Sequence, residues 1–315
     1  MAGLKIFSGN SNLEFAARVA KEAGVQLGSC NISRFADGEV QVEIHESVRG
    51  FNVFVIQSTN PPVNEHYMEL FMVLDALKRA SATEITAVLP YYGYARQDRK
   101  VAPRAPISAK CVAKLLESAG ATRLVTVDLH SSQIQGFFDG PVDHLFAIPT
   151  LARAWREQMG FGEDFVCVSP DAGGVERARA FAKRIECALA IVDKRRSGPN
   201  EAKALSLIGD VRGKTAIILD DMIDTAGTLV QAVDSLLKNG AKDVFAVATH
   251  PVLSGPALTR IAEAPLKKVW VTDTIPLKEE ARKSGKFEVI SVAPVVAEAI
   301  RRIYSYDSVS ALFDF

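Results

Sequence analysis

Apolar and polar positions fall into two recurring patterns along the chain. Leu4–Ser8, Phe51–Gln57, Ile85–Pro90 and Leu124–Asp128 are short, nearly unbroken apolar runs bounded by polar or turn residues, which predicts buried strands. Between them, Asn64–Ala80 and Ile107–Ser118 carry apolar positions at helical spacing. In the first of these helices the predicted buried stripe is Met68, Phe71, Val73, Leu74 and Leu77. Thr150–Met159 predicts a further helix, and the second half then repeats the rhythm. Strands are predicted at Phe165–Ser169, Leu189–Asp193, Ala216–Asp220, Val244–Thr249 and Lys268–Thr272, with helices over Val175–Ile185 and Thr225–Lys238. This alternation, with short turns, predicts α/β architecture: mostly parallel sheets with helices on both faces. The two halves are of one broad type. We expect domains at 1–146 and 147–315, joined around Pro149, with the last segment free to pack back on the first domain. In such sheets ligands bind beyond the carboxyl ends of the strands, near helix N-termini.

Composition narrows the class. At 315 residues, 48% apolar and 23% charged, the chain is long enough for two ordinary packed domains. No apolar run approaches the ~18–20 residues that span a bilayer. The segment Met1–Asn10 lacks the layout of a secretory signal. Thirty-seven basic residues against 37 acids give zero formal charge, which argues against a general nucleic-acid binder. Cys30, Cys111, Cys167 and Cys187 are scattered in mostly apolar contexts and have no zinc spacing. A reducing cytoplasm is the expected location, with no membrane association.

The most informative run is Ile217-Ile218-Leu219-Asp220-Asp221-Met222-Ile223-Asp224-Thr225-Ala226-Gly227-Thr228. An apolar strand ends in two adjacent carboxylates, and a Thr/Gly turn then opens a helix with Leu229, Val230, Val233, Leu236 and Leu237 as its stripe. Backbone N–H groups at such a turn have no intrahelical partner. With Gly227 allowing close approach and two threonine hydroxyls donating, they suit a phosphate monoester. Asp220 and Asp221 are acceptors, suited to vicinal sugar hydroxyls or a divalent cation. The plainer alternative has Asp224 capping the helix and the acid pair in solvent. Two adjacent aspartates are poor strand formers, which favours a binding role. Gly209–Thr215 looks like a nucleotide P-loop, but it is one residue short between its glycines and precedes a strand, so it reads as a turn.

Four other segments are ambiguous singly. Arg34–Glu39 contains Asp37-Gly38, a hairpin-turn signal. Tyr91–Lys100 is basic and aromatic, as a solvated surface or a nucleic-acid patch would be. Asp128–His130 leads into Gln133–Phe138, and Lys194–Arg196 closes a strand. In this order, with Asp220–Thr228, they closely resemble the phosphate-activated class I ribose-phosphate pyrophosphokinases (phosphoribosyl pyrophosphate synthetases). The resemblance extends from Lys5 to Phe313.

That resemblance implies two tandem phosphoribosyltransferase-like domains and transfer of the pyrophosphoryl group of ATP to the C1 hydroxyl of ribose 5-phosphate. It implies that Phe35, Asp37, Gly38 and Glu39 contact adenine, from a neighbouring subunit, and that Arg96, Gln97 and Arg99 hold ATP. Asp220, Asp221, Asp224, Thr225, Ala226, Gly227 and Thr228, with Arg196, would hold ribose 5-phosphate. Lys194 and Arg196 would be the catalytic loop cations, and His130 and Asp171 the Mg²⁺ positions. By chemistry alone Asp128 is the better oxygen ligand beside His130. The family also implies a homohexamer with inorganic phosphate as activator, through Ser47, Arg49 and Ser308–Phe313. A phosphoribosyltransferase and a non-catalytic regulatory homologue are the alternatives. The first leaves Tyr91–Lys100 and Lys194–Arg196 unexplained, and the second conflicts with the intact catalytic segments. Cations cluster at Arg96, Arg99, Lys100, Arg104 and Lys110, while Thr215–Leu237 has four aspartates and no cation. Neutrality is thus an average over segregated charge.

Overall fold

A computed structural model describes residues 3–195 and 204–313, leaving aside the side chains of 193–195 and 204–205. The chain divides into two compact units.

The first contains everything up to Phe146, plus Thr274–Pro276 and the chain from Val292 onward. Its elements are β1 (Leu4–Ser8), α1 (Leu13–Ala23), β2 (Cys30–Arg34), β3 (Val40–Ile44), β4 (Asn52–Ile56), α2 (Val63–Arg79), β5 (Glu84–Leu89), α3 (Ser108–Ala119), β6 (Arg123–Val127) and β7 (Val142–Leu145). Five strands form a parallel sheet in the order β1-β4-β5-β6-β7. β4, β5 and β6 are buried along almost their whole length, as unbroken apolar runs require in a sheet covered on both faces. β2 and β3 form a separate antiparallel hairpin, and the Asp37-Gly38 turn signal lies at its tip, with Gly38 at φ +96°. The helix α2 buries Tyr67, Leu70, Val73, Leu74 and Leu77. The predicted stripe was rotated: Met68 is 49% exposed and Phe71 only partly buried. The face that meets the sheet repeats at 67, 70, 74 and 77, and Met68 lies off it.

The second unit runs from Ala147 to Asp273 and from Leu277 to Ser291. It contains α4 (Ile148–Met159), β8 (Phe165–Ser169), α5 (Val175–Arg184), β9 (Ala188–Arg195), β10 (Ala204–Ile208), β11 (Thr215–Ile223), α6 (Gly227–Lys238), β12 (Asp243–Pro251), α7 (Ala257–Glu263), β13 (Val269–Thr272), α8 (Glu279–Lys283) and β14 (Phe287–Ile290). Its seven strands follow the order β10-β9-β8-β11-β12-β13-β14, parallel except for the β9–β10 pair. Val168, Ile218, Val233, Leu236, Ala246 and Val271 belong to one core cluster between sheet and helices. Gly209–Thr215 is the turn between β10 and β11, with Gly209 and Gly213 both left-handed.

The chain returns to the first unit with α9 (Ala293–Ser305), which packs on α1. Tyr304 Oη accepts from the Gly3 N–H at 3.2 Å, and the Phe313 ring meets Phe146 edge-on at 5.4 Å. Among the element boundaries that differ from expectation, two concern the Asp220–Thr228 run. β11 continues past its acid pair to Ile223, because its ladder with β12 extends to Ile223↔Pro251. α6 begins at Gly227, not Thr225. Cys111 is exposed, against the apolar context read for it.

Candidate active site

The strand order of the second unit places its acids. β8 crosses through α5 to β9 on one side, and β11 crosses through α6 to β12 on the other. The β8/β11 boundary is therefore a topological switch point, where the two crossovers diverge and leave a crevice at the carboxyl ends. Pairing of β11 with β8 stops at Ile218↔Val168, whereas pairing with β12 continues. Asp220 and Asp221 follow after Leu219, so they occupy the stretch of β11 that has lost one neighbour. The loop after β8 closes in beside them: a Cβ on Gly174 would lie 4.0 Å from the carbonyl oxygen of Leu219, the residue before Asp220. Asp171 is exposed in this loop, and its Oδ1 accepts the Gly174 N–H at 3.0 Å.

The electrostatics of the pair are unfavourable as they stand. Desolvation first, and the facing Asp221 carboxylate second, push the Asp220 pKa well above the ordinary carboxylate value. Arg177, from the first turn of α5, offsets part of this. Its Nη1 lies 3.8 Å from Asp221 Oδ1, with both side chains largely buried. Donors such as sugar hydroxyls, or a cation, would complete the balance.

Beyond β11 the chain turns at Asp224–Thr228. Ala226, the residue before α6, is left-handed at φ +59°, a conformation that costs a non-glycine about 1 kcal/mol or more. No side chain caps α6, so Asp224 is not its N-cap. An uncapped, strained helix entry with Thr225 and Thr228 exposed beside it is the arrangement an anion needs.

In the first unit, the β2–β3 tip presents Phe35 with 52% of its surface exposed, and Glu39 N–H is held by Asp37 Oδ1 at 3.1 Å. The tip is anchored through Arg34, which pairs with Glu65 at 2.7 Å and reaches the buried Glu69 on α2 at 3.4 Å. Glu69 also accepts from Gln57 Nε2 at 2.9 Å and Asn10 Nδ2 at 3.2 Å. After β5, Tyr91 and Tyr92 are buried, and Tyr92 Oη donates to Ala109 O at 2.9 Å. Those two rings are structural, so neither Tyr91 nor Tyr92 offers an open face on which a base could stack. Gly93 is required, since a Cβ there would sit 2.6 Å from Thr59 O. Arg96, Gln97 and Arg99 emerge exposed beyond it. Lys110 is engaged internally, donating to Phe137 O at 2.7 Å, so it leaves the set of cations counted toward an anion. After β6, Asp128 is buried at φ +39° and His130 is exposed.

Comparison with known proteins decides what these segments belong to. The family model described as the N-terminal domain of ribose phosphate pyrophosphokinase matches residues 4–120, and that described as the phosphoribosyl synthetase-associated domain matches 195–314. The chain is 56% identical over 311 residues to the ribose-phosphate pyrophosphokinase of Bacillus caldolyticus, covering 99% of this chain and 98% of the relative. It is 57% identical over 310 residues to that of Caldanaerobacter subterraneus subsp. tengcongensis, covering 98% of each. This chain belongs to the ribose-phosphate pyrophosphokinase family. The crystal structure of phosphoribosylpyrophosphate synthetase from Mycobacterium smegmatis matches its fold with a TM-score of 0.91 at 47% identity, over 96% of this chain and 99% of that one.

Of the residues that the sequence singles out, Asp171, Asp220, Asp221 and Asp224–Thr228 come together around the switch point of this pyrophosphokinase's second unit. Phe35–Glu39, Arg96–Arg99 and His130 belong to the first unit. Arg196 and the Lys194 side chain lie outside the described residues. Sequence reading passed over Arg177, Arg260 and Glu69. Arg177 had a usable signal: it stands in the first turn of the helix that follows a Ser-Pro-Asp-Ala-Gly-Gly strand end.

Proposed function

We propose that this pyrophosphokinase transfers the β,γ-pyrophosphoryl group of ATP to the C1 hydroxyl of ribose 5-phosphate, giving 5-phosphoribosyl 1-pyrophosphate and AMP for nucleotide biosynthesis. The carrying observation is the 56% identity to a ribose-phosphate pyrophosphokinase across 99% of the chain. The C1 oxygen attacks the β-phosphorus, its proton leaves, and the bond from that phosphorus to the α,β-bridging oxygen breaks toward AMP. Such chemistry is mostly positioning and charge stabilisation.

The turn Asp224–Thr228 holds the 5-phosphate on the N–H groups at the start of α6, and Asp220 and Asp221 accept from the ribose hydroxyls. Arg96, Gln97 and Arg99 hold ATP, while Phe35, Asp37, Gly38 and Glu39 receive adenine on a neighbouring subunit of a homohexamer. The large exposed face of Phe35 at a hairpin tip supports a stacking role. Lys194 and Arg196 supply loop cations over the transferring group, with Arg196 also reaching ribose 5-phosphate. Inorganic phosphate activates through a site that includes Ser47, Arg49 and Ser308–Phe313.

Mg²⁺ fits the donor set. Among the described residues no three His, Cys, Asp or Glu side chains converge into a cage. Mg²⁺ prefers oxygen ligands, keeps several waters and takes one or two protein ligands plus phosphate oxygens, and the exposed Asp171 carboxylate meets that preference. Asp171 and His130 are exposed residues, whereas Asp128 is buried. When bound, Mg²⁺ neutralises phosphate charge. Among the described residues no helix is long and apolar enough to cross a membrane, and we place the enzyme in the cytoplasm.

The test is nucleotide chromatography after incubation with ATP, Mg²⁺ and phosphate, with and without ribose 5-phosphate. AMP that appears only with the sugar phosphate supports the proposal. ADP as the nucleotide product overturns it.

A further inference from the structure

A phosphate monoester carries a charge of about −1.5 to −2 at neutral pH. The turn assigned to it offers little to match that charge. Between Thr215 and Leu237 there are four aspartates and no lysine or arginine. The α6 dipole contributes only about half a unit of positive charge. The missing cation comes from a different element.

β12 runs beside β11 to the register Ile223↔Pro251, and the chain beyond keeps pace with the turn. Leu253 N–H donates to Ile223 O at 2.9 Å, and Ser254 N–H donates to Asp224 O at 3.0 Å. The left-handed residues Leu253 and Gly255 then reverse the chain into α7. Ala257 and Ile261 bury one face of α7 in the core, while Arg260 stays exposed. Its Nη1 donates to Thr225 O at 2.9 Å, inside the turn itself. A Cβ on Gly227 would lie 3.3 Å from that same nitrogen. Gly227 thus makes room for the guanidinium as well as for a ligand. Among the described residues Arg260 has no carboxylate partner and makes this one hydrogen bond, so most of its five-donor fork remains for an anion. Arg177 cannot fill the role, since Asp221 holds it.

We propose that Arg260 is a further binding residue for the 5-phosphate of ribose 5-phosphate, supplying from α7 the positive charge that the turn lacks. This rests on the reading of Asp224–Thr228 as the phosphate turn. A guanidinium that both clamps Thr225 O and faces the phosphate would couple the shape of the turn to its charge.

The experiment measures ribose 5-phosphate affinity by calorimetry on the purified full-length enzyme and three variants, with unfolding temperature as the check on folding. Arg260→Gln retains a donor for Thr225 O but no charge, whereas Arg260→Lys retains charge without the fork. The proposal expects about tenfold weaker binding for Arg260→Gln, with Arg260→Lys between it and the parent, and the ATP KM unchanged in both. Arg260→Gln within about twofold of the parent overturns it. Equal losses in both variants also overturn it, leaving Arg260 as a clamp on the turn. Thr228→Ala separates this from the underlying reading. If Thr228→Ala binds ribose 5-phosphate normally, the turn is not the phosphate site. If it binds weakly while Arg260→Gln binds normally, only the role of Arg260 falls.

Discussion

At the scale of single residues, Asp220 is a carboxylate whose ionisation works against stability. Burial and the Asp221 carboxylate hold its pKa well above the usual range. Ionising it therefore costs folding free energy, and the cost grows as pH rises from the unfolded-state value of ~3.9 through the raised folded value. Asp220→Asn removes that cost. We expect thermal unfolding at about pH 7.5 to shift upward, by on the order of 1 kcal/mol, with the gain fading toward pH 4. Ribose 5-phosphate binding should weaken in the same variant, the usual trade between a strained site and stability. An unchanged unfolding temperature at neutral pH would mean that the pair is already compensated. Two cysteines are poor nucleophile candidates for a different reason: burial pushes the Cys167 thiol well up and the Cys187 thiol to about 11. Lys194 carries the loop's proposed charge stabilisation. Lys194→Ala should lower kcat by at least ~100-fold, the scale of one transition-state donor, with steady-state kinetics as the check. Near-normal turnover would remove Lys194 from the mechanism.

At the scale of elements, the β2–β3 hairpin depends on α2 for its position. Arg34 stands directly before Phe35, and its guanidinium reaches Glu65 and the buried Glu69. Glu69 in turn holds Gln57 and Asn10 at the ends of β4 and β1. Glu69→Gln leaves donors facing an amide, and should cost about 1–3 kcal/mol in urea unfolding and raise the ATP KM. An ATP KM equal to the parent's would separate the hairpin tip from nucleotide binding. None of this was legible in sequence, because Asn10, Arg34, Gln57 and Glu69 are joined only by tertiary folding. Buried strands were legible, since a run such as Asn52–Ile56 is apolar on both faces. Helix faces were less so. Met68 and Leu70 are both apolar, and only the sheet decides which one faces it. The end of β11 was misjudged because aspartates are weak strand formers, yet the ladder with β12 carries Asp220 and Asp221 along.

At the scale of the whole molecule, strand–helix alternation conveyed two α/β units and their parallel sheets, and the last segment, expected to pack back on the first domain, belongs to the first unit from Val292 onward. Its helix α9 docks on α1, almost the whole chain away, and no periodicity encodes such a partner. The formal neutrality of the chain likewise conceals its organisation. The acids stand at the switch point of the second unit, and the arginines of Tyr91–Lys100 emerge exposed from the first. The proposed transfer assigns the sugar phosphate to the acids and turn of the second unit and ATP to the exposed arginines of the first. ³¹P NMR of the purified protein with ATP, ribose 5-phosphate, Mg²⁺ and phosphate tests that claim most directly. Loss of the three ATP resonances, growth of AMP, and a new pair of diphosphate resonances from an ester at C1, in equal amounts, are expected. Resonances of ADP, of free pyrophosphate as the primary product, or of unreacted ATP alone would contradict it.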